Sequence, residues 1–144
     1  MTSSLKNQVV SLELSKRLKE LGVPQESHFY WSKDFDVNNE FTGEEPVVEE
    51  DRWLEYNEME KAKVCSAFLV GELGEMIPME LKNRNGKCDG GYFETYRMTF
   101  KKWIVEYCQG KKVVAHIMGD TEADARAKML IYLLENNLLK ASDL

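Results

Sequence analysis

The side chains best equipped for chemistry gather in one acidic stretch. Asp34, Asp36 and Asn38 stand at positions 1, 3 and 5 of a window that closes with Glu45 at position 12. That is the spacing with which a calcium loop folds its oxygen ligands around the ion. Two features weigh against it. Position 6 is Asn39 rather than glycine, although asparagine tolerates left-handed dihedrals better than most residues. Pro46 follows directly, and the aromatic run His28–Trp31, not a helix, comes before. Partial matches come cheaply in so acidic a segment, so Asp34–Glu45 reads as a solvated loop.

Cys65, Cys88, Cys108, His28 and His116 are the remaining candidates for zinc or for a thiol–imidazole nucleophile. None sits in a Cys-x-x-Cys or His-x-x-x-His pair. Cys108 and His116 are expected near opposite ends of one hairpin, which argues against a shared ion. Thiols buried or lying on a strand face are the simpler reading. No catalytic residue, metal ligand or cofactor is assigned. An odd cysteine number at unrelated spacings fits reduced thiols in a cytoplasm, and the N-terminus lacks the apolar core of a secretory signal.

The net charge of −6 belongs to one segment. Eleven acids and a single base, Arg52, fall between Asp34 and Glu60, a local charge of −10 that leaves +4 for the rest. Phosphate would be repelled there, so nucleic-acid binding is not expected. The doublets Lys101–Lys102 and Lys111–Lys112 are expected at opposite ends of a hairpin, as solvated lysines that hinder sheet-to-sheet aggregation. Tyr30, Trp31, Trp53 and Tyr56 form an aromatic set for packing, or alternatively for recognition. No run approaches the ~18 apolar residues of a membrane span.

The elements that must position these groups can be traced along the chain. Thr121 begins the clearest one: a good N-cap, Asp124 placed for a capping box, and Ala123, Ala127, Leu130, Ile131, Leu133, Leu134 and Leu138 on one broad side. Ala125, Met129 and Tyr132 make a second apolar patch, for another part of this chain or for a second copy. Pairs at i,i+4 are expected for Asp124–Lys128 and Glu122–Arg126. Val10, Leu14, Leu18 and Leu21 mark a first helix over residues 10–21, stopped by Gly22 and Pro24. His28–Trp31 reads as a strand, with Trp53–Tyr56 as a candidate partner, and a short helix is expected from Leu69 to Met76. From Met79 the period becomes two. Met79–Asn83, the run from Tyr92, the run Trp103–Cys108 and Val113–Ile117 read as strands of an antiparallel meander. The expected architecture is α+β in one domain, 1–144, with a long acidic insert at about 33–63. An N-terminal, a middle and a C-terminal helix would accompany a mainly antiparallel sheet of four to six strands, the last helix packed on the sheet.

Leu14–Trp31, Gly71–Pro78, Trp103–Tyr107 and Asp120–Asn136 resemble, in order, segments of an uncharacterised family of small proteins. That family is encoded in bacteriophages and prophages of Gram-positive bacteria and related genomes. The insert after Trp31 is longer than the family pattern. The resemblance implies a phage-derived protein of unassigned activity, with no catalytic residues to carry over. The leading expectation is a non-enzymatic accessory protein of the host cytoplasm, acting through protein contacts, including a homodimer. The alternatives are an acidic nucleic-acid mimic that inhibits a host DNA-binding or defence protein, and a small enzyme of unknown class.

Overall fold

In the computed structural model the described residues are 5–33, 47–51, 62–82, 91–98 and 100–144. The calcium-like window Asp34–Glu45, Trp53, Tyr56 and Cys88 lie outside them.

Among the described residues the architecture is α+β, with helices α1 (Leu12–Glu20), α2 (Val70–Met76) and α3 (Glu122–Glu135). The strands are β1 (Phe29–Ser32), β2 (Val47–Glu50), β3 (Lys63–Ser66), β4 (Tyr92–Arg97), β5 (Trp103–Gln109) and β6 (Lys112–Gly119). They form two three-stranded antiparallel sheets, ordered β2-β1-β3 and β4-β5-β6. This corrects the expectation of one sheet of four to six strands. The aromatic strand pairs with its own neighbours, Tyr30 opposite Glu49 and Ser66, and contributes nothing to the C-terminal meander. Of the strand expected at Met79–Asn83, whose last residue lies outside the described ones, the described residues form one bridge, Glu80 to Tyr92, supported by Phe93 N–H donating to Met79 O.

Helix ends follow from residue type. Gly22 at φ +83° closes α1 in a Schellman motif: Val23 N–H bonds Leu18 O and Gly22 N–H bonds Lys19 O. Asn137 at φ +56° does the same for α3, with Leu138 N–H on Leu133 O. Thr121 Oγ1 accepts the Asp124 N–H at 3.1 Å, as an N-cap should. The Asp124 carboxylate does not complete a capping box. It accepts the Ser11 N–H at 2.8 Å and so ties the start of α1 to the start of α3.

α3 packs on β5 and β6, and Ala123, Ala125, Ala127, Met129, Leu130 and Leu133 are fully buried. Of the patch of Ala125, Met129 and Tyr132, the first two are fully buried within the chain and Tyr132 is partly buried against the same core. Glu122 pairs with Arg126 at 2.8 Å, whereas Lys128 donates to Met118 O and not to Asp124. Arg126 also lies over the Phe93 ring. A second, smaller cluster of Val9, Trp31, Cys65 and Ala67 lies against the N-terminal sheet, and Trp31 Nε1–H donates to Val10 O. Tyr30 and Trp31 are thus packing residues.

Candidate functional site

The β4-β5-β6 sheet has one face on the helices and one face outward. Strand alternation sends Phe93, Val105, Tyr107, Ala115 and Ile117 to the core. The opposite face carries Glu94 and Tyr96 from β4, Ile104, Glu106 and Cys108 from β5, and His116 and Met118 from β6. Register aligns three of them in a row: Glu94 faces Glu106, and Glu106 faces His116. Cys108 follows two residues beyond Glu106, and a bulge between Tyr107 and Cys108 shifts its partner to Val113.

Glu106 is the centre of this arrangement and is only 7 % exposed. A buried carboxylate needs hydrogen-bond donors. His116 Nδ1 lies 2.9 Å from Oε2, and an ionised carboxylate only accepts, so this nitrogen carries the proton. Cys108 Sγ–H donates to Oε1 at 3.5 Å, and the Tyr96 hydroxyl contributes a further bond. The His116 bond, more than any other cause, holds the Glu106 carboxyl below the usual glutamate range against the opposing effect of burial. The Cys108 thiol is pushed up by burial first and by Glu106 second, and Tyr96 is raised in the same way.

Cys108 and His116 are therefore not at opposite ends of the hairpin, as spacing along the chain had implied. They flank one carboxylate on one face. Sequence reasoning missed Glu94 and Glu106 because each is one acid among many until strand register sets them side by side. His28 directly precedes β1 at the N-terminal sheet, and Cys65 is a buried residue of β3 in that sheet, its thiol raised by burial. The lysine doublets do lie at opposite ends of the β5–β6 hairpin, and Lys102 bonds Asp120. Of the acidic segment, Asp51 is held by Lys63.

Around the polar row the face is apolar and open: Tyr92 is 61 % exposed, Met118 51 % and Tyr96 42 %. Val113 and Val114 extend this surface along β6. Among the described residues no helix is long and apolar enough to cross a membrane. No family model, characterised protein or solved structure matches this chain.

Proposed function

We propose that this protein is a phage-derived accessory protein that acts through protein contacts rather than catalysis, and that it engages a second copy of itself through the outward face and outer edge of β6. The observation that carries the reading is the exposure of large apolar side chains together on one sheet face, at Tyr92, Tyr96, Val114 and Met118. Exposed apolar surface of this kind, here flanking the polar row on both sides, marks interaction sites. Among the described residues no strand pairs with the outer edge of β6, and an unpaired edge is a template for another strand. Charge selects the partner's direction. Lys111 and Lys112 open the strand and Asp120 follows it, so an antiparallel copy sets lysine beside aspartate at both ends. A parallel copy sets like charges together. The protonated thiol of Cys108 also favours a non-catalytic reading, because a nucleophile needs the thiolate.

The test is light scattering at micromolar concentration. The wild type should run as a dimer and K112E should dissociate more readily. K102E/K112E/D120K, which also reverses the intramolecular Lys102–Asp120 pair, should recover association, since the reversed charges still complement across a two-fold axis. A wild type that stays monomeric, or a triple variant no better than K112E, refutes the reading.

A further inference from the structure

A different observation on the same sheet concerns its carboxylates. Glu94 and Glu106 stand directly opposite each other on adjacent strands, where like charges destabilise a sheet. No lysine or arginine accompanies them among the described residues of this face, and His116 is the one nearby group that can turn cationic. One oxygen of each carboxylate and the sulfur of Cys108 lie within 4.8 Å of one another. Around a tetrahedral ion bound at ~2.0–2.3 Å, donor atoms stand roughly 3.5 Å apart, so modest side-chain rotation closes the set.

We propose that Glu94, Glu106 and Cys108 bind a divalent ion of zinc-like softness, with His116 as the residue that orients Glu106. Two carboxylate oxygens and a thiolate suit Zn²⁺ or Co²⁺ better than Mg²⁺ or Ca²⁺, which avoid sulfur. The His116 Nδ1–H bond occupies Oε2 of Glu106. Oε1, which now accepts the Cys108 S–H, is the oxygen that turns to the ion. On binding, the thiol proton leaves to solvent and the sulfur–metal bond takes its place, so one proton is released per ion. A hydrogen-bonded carboxylate ligand of this kind is the usual support of a metal site.

The experiment is titration of the full chain with Co²⁺, followed by the near-ultraviolet thiolate-to-cobalt absorption, then displacement by Zn²⁺. The wild type should saturate at one equivalent. Cys108→Ser should abolish the absorption, while Cys65→Ser and Cys88→Ser retain it. Glu94→Gln, an exposed change that the fold tolerates, should weaken binding at least tenfold, and His116→Ala about 10–100-fold. Circular dichroism on each variant separates lost ligation from lost structure. Absence of saturable binding, or absorption that survives in Cys108→Ser, overturns the proposal and leaves Glu106–His116 as a hydrogen-bonded pair alone. Neither result depends on self-association, which light scattering on the same samples reports separately.

Discussion

Gly119 is the point where β6 and α3 come closest, and replacing it by alanine tests how α3 is seated. A Cβ there would lie 2.6 Å from Ala125 N, 2.9 Å from its Cα and 3.0 Å from its Cβ. Carbon contacts ordinarily settle at about 3.5–4.0 Å, so roughly an ångström is missing. Two of the three atoms are helix backbone, so no side-chain rotation relieves the clash. The first turn of α3 must move off the strand, and with it the buried Ala123, Ala125 and Ala127. Overpacking of this kind costs ~1–3 kcal/mol. For a chain of this length about 4 °C of melting temperature accompanies each kcal/mol, a fall of roughly 4–12 °C. Gly71→Ala is the internal control. It lies within α2 with nothing inside 4 Å of its Cβ position, so alanine should stabilise by about 0.5–1 kcal/mol. Thermal unfolding followed by circular dichroism reads both. A Gly119→Ala protein melting with the wild type refutes the close seating of α3, and two shifts of the same sign refute the steric reasoning.

Two further outcomes follow from the same packing. Thr121→Ala should destabilise by about 1 kcal/mol in urea unfolding, because the Asp124 N–H loses its cap; Thr121→Ser should recover most of it. The buried Tyr107 hydroxyl donates to Pro78 O, and burial holds its pKa above the ordinary tyrosine value of 10.0. The folded state thus binds this proton more tightly than the unfolded chain. Its contribution is complete below pH 10 and is lost as pH rises beyond it. Tyr107→Phe should cost ~1–3 kcal/mol at neutral pH, chiefly by leaving the Pro78 carbonyl unpaired, and should flatten the alkaline loss of stability seen by urea titration.

Local signals in this chain were legible and non-local ones were not. Gly22, Thr121 and the period of α3 define their elements through contacts a few residues apart, and the helices begin and end close to where those residues place them. The alternation of Trp103, Val105 and Tyr107 against Ile104, Glu106 and Cys108 likewise survives intact. What failed was partnership. His28–Trp31 carries no mark that sends it to Val47–Glu50 and Lys63–Ser66 rather than to the meander. Asp124 has the spacing of a capping box, yet Ser11, distant in sequence, offers the N–H that it takes. The apolar patch on α3 read as packing on another part of this chain, with a second copy left as the alternative, because hydrophobicity shows that a residue is covered, not by what.

The outward row on β4, β5 and β6 shows the same limit in chemical terms. Glu94, Glu106 and His116 are 10 or more positions apart in the chain, and each alone is an ordinary polar strand residue. Antiparallel pairing makes them neighbours, and only then does Glu106 acquire a buried setting, an imidazole donor and a facing carboxylate. Burial of that carboxylate stabilises nothing by itself; an apolar residue between Ile104 and Cys108 would suit the exposed tyrosines and methionine around it better. The core face of the same strands, with Val105 and Tyr107, already secures the sheet against α3. A charged group kept where packing gains nothing from it points to a ligand or a partner, and the outward face is where both proposals meet that group.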